Sequence, residues 1–355
     1  MQRPHPHRRG AGLALAAAVL FGASTPFSKL LLAGMPPQWL AGLLYLGSGL
    51  GLAAWMLFRR RIRSAAPREA ALRSHDMPWL AGAIAAGGVV APVLLVTGLA
   101  ATPAASASLL LNLEGVFTAL LAWFVFKENV DRRILAGMMA IIVGGLLLSW
   151  EGRATHGIPW AALGIAGACL CWGIDNNLTR KVSAADPVQI AMLKGLIAGS
   201  VNVAIAAALT PHLPSAGAIA GAAVLGLLSY GVSLTFFVLA LRHLGTARTA
   251  AYFSAAPFAG AALSFVVVRD SPTALFWPAL ACMALGVWLH LTEHHEHEHT
   301  HPPLEHDHMH VHDEHHQHEH HPADPPGEPH SHPHRHAQLT HQHPHTPDIH
   351  HQHKH

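Results

Sequence analysis

Four ionisable side chains stand inside stretches that are otherwise almost wholly apolar: Glu114, Asp175, Lys194 and Arg248. Such a group in hydrocarbon costs at least ~2.5 to 3.5 kcal/mol on insertion scales, so it must face protein or water. Each is therefore a candidate for binding a solute or moving a proton. Glu114 falls near the middle of its stretch, with Asn112 two residues before it. A carboxyl group at that depth can exchange a proton or hold a cationic substrate group. The alternative for Glu114 is a structural carboxylate, hydrogen-bonded to hydroxyls or indole nitrogens of adjacent helices. Asp175 is followed by Asn176 and Asn177; Trp172, near a helix end, is expected first as an interfacial belt anchor and second, beside Asp175, as part of the cavity lining. Lys194 lies about two turns into the next stretch, at a depth similar to that of Asp175, and a structural ion pair between them is the favoured expectation. Arg248 opens a later stretch and reads as a topogenic or snorkelling residue ahead of a ligand.

The elements that must position these residues are membrane spans. Of the 355 residues, 51% are hydrophobic and only 12% charged, too apolar for a soluble chain that also carries a long polar tail. A helix crossing about 30 Å of hydrocarbon needs ~20 mostly apolar residues. Ten stretches meet that length or nearly do: 11–33, 38–58, 78–99, 104–126, 133–150, 158–179, 188–209, 216–241, 246–268 and 273–291. They are continuous, which argues against the short alternating strands of a membrane barrel. Their many small residues, such as Gly49 and Gly51 or Gly144 and Gly145, suit close helix packing in lipid. Cys169, Cys171 and Cys282 all fall inside these stretches, so no disulfide framework is expected.

Loop charges set an orientation, because Lys and Arg are retained on the cytoplasmic side. The expected inner loops and amino terminus hold sixteen Lys or Arg, including Arg59, Arg60 and Arg61, against Lys29, Arg153 and Arg269 outside. Both termini then face the cytoplasm. The first apolar run is too long for a signal-peptide core and ends without a small-x-small cleavage pattern, so it is expected to remain as a span.

The block from 11 to 291 is written twice. Shifted by 151 residues, Phe21-Gly22 falls on Trp172-Gly173, Lys29 on Arg180 and Gln38 on Gln189, and the offset shrinks to about 142 by Gly144 and Gly286. Five spans per copy make the copies antiparallel in the membrane, and inverted repeats place a solute site near the midplane at their interface. The ionisable residues break this symmetry, since Glu114 meets Pro257 or Ala256, Asp175 meets Ser24 and Lys194 meets Leu43.

The run LLNLEGVFTALLAWFVFKE from Leu110 to Glu128, preceded by Thr102 to Ser108, closely resembles the fourth helix of EamA-type members of the drug/metabolite transporter superfamily. Ala251 to Asp270 resembles its counterpart in the second copy. The resemblance implies an all-α, ten-helix inner-membrane permease of two inverted five-helix repeats, 11–150 and 158–291, after a cytoplasmic stretch 1–10. A central cavity for a small metabolite would lie between the repeats. It does not extend to the tail and does not name a substrate.

From 292 to 355 the composition changes. His290 to His355 holds 26 of the 32 histidines, with nine prolines and eleven acidic residues, a composition expected to be disordered. Histidines alternate with other residues at His295, His297, His299 and His301, at His306, His308, His310 and His312, and at His330, His332, His334 and His336. Imidazole suits Zn, Ni, Co or Cu, so the tail is a candidate metal buffer or sensor, and a transition-metal exporter is the alternative function. It also suits pH sensing. No cofactor is required, and no nucleophile-base pair or nucleotide-binding loop marks an enzyme. Expected partners are a small-molecule substrate, the lipid bilayer, transition-metal ions and, optionally, a second copy of the chain, with no nucleic acid.

Overall fold

The computed structural model describes residues 6–62, 72–125, 132–150, 160–182, 185–210, 212–244, 249 and 252–292, and in the tail 296–301, 304–310, 330–336 and 339–344. Fourteen α-helices lie among the described residues. The first repeat contains α1 (Pro6–Gly22), α2 (Ser24–Leu31), α3 (Pro37–Ile62), α4 (Met77–Ala83), α5 (Ala91–Ala100), α6 (Ala104–Leu110), α7 (Leu113–Phe124) and α8 (Arg132–Trp150). The second contains α9 (Trp160–Arg180), α10 (Pro187–Leu209), α11 (Ala216–Gly226), α12 (Ser233–Leu244), α13 (Ala256–Val267) and α14 (Phe276–Leu291). Starts follow local chemistry. Asp186 accepts from the backbone N–H groups of Val188 and Gln189 ahead of α10, and Ser215 accepts from that of Ala218 ahead of α11.

Among the described residues seven helical stretches are long and apolar enough to cross a membrane: Gly10–Leu31, Pro37–Arg59, Ser74–Ala100, Ala104–Phe124, Arg132–Trp150, Pro187–Leu209 and Ala216–Ala240. The described parts of the other three expected spans contain shorter or less apolar helices, and residues 246–248, 250 and 251 of the ninth lie outside the described residues. Helix α9 has the length, 21 residues, and loses apolarity to Asp175, Asn176, Asn177 and Arg180. Helices α13 and α14 have 12 and 16 residues.

The duplication is visible in the packing. Helix α3 packs along α10, and α8 along α14, each pair joining equivalent elements of the two copies. Both contacts are backbone-close: a Cβ on Gly195 would strike Gly49, and one on Gly137 would strike Gly286. Off these crossings the contacts come in matched sets. Gly22 of α1 abuts Ala256 and Gly260 of α13, and its equivalent Gly173 of α9 abuts Phe117 and Thr118 of α7.

Irregularities recur in the same way. A π-helical turn interrupts the third span at Ile84–Val90, and another interrupts the eighth at Leu227–Val232, an offset of 143 residues from Ile84 to Leu227. The fourth span breaks at Leu111-Asn112 and the ninth at Ser254-Ala255, again 143 residues apart. Breaks shared by both copies belong to the scaffold, and such departures from regular helix concentrate at functional sites.

In the tail, four short segments are described as strands. Strands β1 (Glu296–His301) and β4 (Leu339–Pro344) pair antiparallel, as do β2 (Leu304–His310) and β3 (His330–His336). One register runs through both pairs, from Glu296 opposite Pro344 to His310 opposite His330. Composition speaks to whether a core can form, whereas a strand pair needs only backbone partners. Pro333 and Pro344 are tolerated because every strand here is an edge.

Candidate functional site

Glu114 lies in the first turn of α7, just after the break at Leu111-Asn112. The chain stays hydrogen-bonded through the break, Asn112 N–H donating to Leu109 O and Glu114 N–H to Leu111 O, each at 3.0 Å. Glu114 is half-buried, and Asn176 Nδ2 of the other repeat donates to its Oε1 at 2.9 Å. Asn176 is exposed and also reaches Thr118 Oγ1 at 3.3 Å. Asn177 turns the other way, donating to the carbonyls of Gly173 and Thr118 across the α9–α7 contact. Among the described residues no cation lies within ion-pair distance of Glu114.

Buried Asp175 and half-buried Lys194 form an ion pair with Nζ to Oδ1 at 2.6 Å. Thr179 Oγ1 donates to the same Oδ1 at 2.8 Å and accepts from Lys194 at 3.2 Å, so the pair is hydrogen-bonded as well as charged. The carboxylate fits because residue 87 is glycine, where a Cβ would collide with it. The π turn also leaves the Gly87 carbonyl free to accept from Tyr45 Oη at 2.8 Å and Trp172 Nε1 at 3.0 Å. Trp172 Nε1 lies 3.4 Å from Tyr45 Oη.

Aromatic rings extend this wall into the second repeat. Tyr45 contacts Tyr230 at a centroid distance of 5.4 Å, Tyr230 contacts Phe21 at 5.7 Å, and Phe21 contacts Phe253 at 5.5 Å. Tyr230 lies in the field of the Glu114 carboxylate. The two copies are equivalent here but differently furnished. Phe21, Ser24 and Tyr230 meet in one, where Trp172, Asp175 and Gly87 meet in the other.

Of the residues singled out in the sequence, Glu114, Asn176, Asp175, Lys194 and Trp172 converge on this region. Asn112 does not join them: it is buried, and its Nδ2 donates to Leu109 O at 2.8 Å and approaches Met283 Sδ at 3.8 Å, tying down the break in its own span. Arg248, His295 and His312 lie outside the described residues. The backbone at His297, His299, His301, His306, His308, His310, His330, His332, His334 and His336 is placed in β1, β2 and β3. Sequence reasoning missed Tyr45, Tyr230, Phe21 and Thr118. A usable signal existed for two of them, since the chain has only three tyrosines and Tyr45 and Tyr230 both interrupt apolar spans. Cys169, Cys171 and Cys282 are free thiols.

A second polar cluster lies at the far end of the same spans. Lys29 Nζ donates to the carbonyls of Leu99, Ala100 and Thr102 at 2.6, 2.9 and 2.9 Å, capping α5. Asp270 Oδ2 accepts from Ala105 N at 2.8 Å, capping α6. Its neighbour Arg269 has φ 59°, the left-handed region.

The sequence model of the EamA-like transporter family matches residues 8–150 and again residues 159–292, most of the chain. The chain belongs to the EamA-like transporter family. A protein of Methanothermobacter thermautotrophicus described as an uncharacterized transporter is 27% identical over 269 residues, covering 72% of this chain and 78% of its own length. A solved crystal structure with 18% sequence identity superposes with a TM-score of 0.57 over 79% of this chain and 95% of that one, a likeness of fold. As a member of the family, the chain is a multi-pass membrane protein of the transporter class, acting on a small molecule across the bilayer.

Proposed function

We propose that this EamA-type protein is a bacterial inner-membrane secondary transporter that moves a small metabolite by alternating access, with ten spans in two inverted repeats and both termini cytoplasmic. The observation that carries the reading is the meeting of Glu114 and Asn176, one from each repeat, beside breaks that recur 143 residues apart. A site made by both repeats is remade or opened whenever one repeat rocks against the other, which is what alternating access requires. In this reading Glu114 binds the solute or carries the coupling proton, Asn176 orients it, and the Asp175–Lys194 pair fixes α9 against α10. Arg248 serves the inner boundary of the ninth span. The shorter α13 and α14 complete the ten.

Uptake into proteoliposomes, with a panel of amino acids, nucleosides, amines and divalent metals, tests the reading. Saturable uptake of one organic class supports it. Uptake confined to divalent metals would replace it with the metal exporter.

The same reading gives the tail a separate, metal-binding role on the cytoplasmic side. Its support is the strand register, which sets His297 opposite His343, His299 opposite His341, His306 opposite His334, His308 opposite His332 and His310 opposite His330. Residues directly opposite in an antiparallel pair have Cβ atoms roughly 4.5 to 5.5 Å apart, a spacing from which two imidazoles can share an ion. Equilibrium dialysis of the full chain and of a chain lacking 294–355 against Zn, Ni, Co and Cu should show ions held by the first alone. Equal retention would remove the tail from the account.

A further inference from the structure

The charges around the centre do not cancel. Asp175 is neutralised by Lys194, leaving Glu114 as the anion without a cation, held by the amide of Asn176. Towards the α5–α6 turn, Lys29 and Asp270 lie in each other's field and cap opposite sides of that turn, so they offset one another. Within the central cluster the unpaired negative charge therefore sits at Glu114.

Ring surfaces stand close to it: Asn176, which holds Glu114, lies one turn of α9 from Trp172. Trp172, Tyr45, Tyr230 and Phe21 form a continuous aromatic wall across the repeat interface, with Tyr45 and Tyr230 both in the field of Glu114. Tyr45 and Trp172 are buried, whereas Phe21 and Tyr230 are half-buried. Aromatic faces are negative at their centres and attract cations as well as apolar groups. A lone carboxylate beside such a wall repels anions and leaves a neutral solute with no partner for the charge.

Building on the transporter reading above, we infer that the central site takes an organic cation, an amine or ammonium group carried on an apolar or aromatic body. Glu114 holds the cationic head and the wall from Tyr45 to Phe21 takes the body. Asn176 keeps the carboxylate aimed into the site.

The test is equilibrium binding of radiolabelled benzyltrimethylammonium to the full chain in lipid nanodiscs, with benzyl alcohol and benzoate as neutral and anionic competitors. The inference predicts saturable binding that neither competitor displaces. Glu114→Gln should weaken it at least 10-fold while Glu114→Asp retains part of it. Tyr230→Leu should weaken it about 2- to 30-fold, the range expected of a cation–ring contact, while Tyr230→Phe leaves it nearly intact. Unchanged elution on size exclusion and an unchanged melting temperature must accompany each variant, and the conservative pair at each position supplies the comparison if the other fails to fold. Benzoate or benzyl alcohol binding as well as the cation, or cation binding indifferent to Glu114→Gln, overturns the inference. The two readings fail separately: Glu114-dependent uptake of a metabolite that the cation does not compete with sinks the cation site alone. Cation binding without uptake of any solute sinks the transporter reading alone.

Discussion

Lys194 Nζ lies 2.6 Å from one oxygen of Asp175 and 2.7 Å from the other, so a single ammonium closes the carboxylate off inside the protein. The two residues come from neighbouring helices of one repeat, while Asp175 also presses on Gly87 of the other. The pair therefore holds α9 both to its own repeat and across the interface. It also removes one of the two interior acids from solute chemistry.

Breaking a buried pair leaves an uncompensated charge and costs about 3 to 5 kcal/mol, whereas replacing both partners by apolar groups is often neutral. Asp175→Asn and Lys194→Met should each lower the melting temperature and folded yield of the detergent-solubilised protein. The double variant Asp175→Leu with Lys194→Met should recover most of the loss. Additive losses in the double variant would show that the pair is not a coupled unit.

Gly87→Ala puts a methyl group where the Asp175 carboxylate stands, and overpacking of this kind costs about 1 to 3 kcal/mol. A lowered melting temperature is expected, with uptake reduced. Gly12→Ala is the control: nothing lies within 4 Å of its added Cβ, and helix propensity favours the change by about 0.8 to 1 kcal/mol. Equal effects of the two substitutions would contradict the packing described.

The scaffold was largely legible in the sequence, and the site only partly. Apolar runs gave the helices, and the register from Phe21-Gly22 on Trp172-Gly173 anticipated equivalent contacts made by Gly22 and Gly173. The breaks were not legible, because Ile84–Val90 and Leu111-Asn112 are as apolar or as ordinary in composition as the helix around them. With them went Tyr45, whose role depends on a carbonyl released by the π turn. Asn112 lies two residues before Glu114 in sequence, and in the fold its amide meets Leu109 and Met283.

Lys29 ties the α5–α6 turn through three carbonyls, and hydrogen bonds to a charged group contribute about 1.5 to 3 kcal/mol. Lys29→Met should therefore raise amide hydrogen exchange across residues 101–107 by about 10- to 100-fold, as local opening becomes easier. Exchange elsewhere in α3 and α10 should stay unchanged. Protection equal to the parent protein's would show that the lysine does not hold the turn.

Asn176→Ala removes the donor that orients Glu114. Loss of a hydrogen bond to a charged group corresponds to about a 10- to 100-fold fall in kcat/KM for uptake. Asn176→Asp should be worse, because it sets a second carboxylate against the first. Unimpaired uptake by Asn176→Asp would mean that the contact between the repeats has no part in transport.

The most direct measurement is uptake by proteoliposomes carrying equal amounts of the parent protein and of Glu114→Gln, with folding of both checked by size exclusion and thermal melting. The substitution keeps size and hydrogen bonding and removes the charge. The account predicts saturable uptake by the parent protein and none above the protein-free background by Glu114→Gln. Full uptake by a correctly folded Glu114→Gln protein would contradict it.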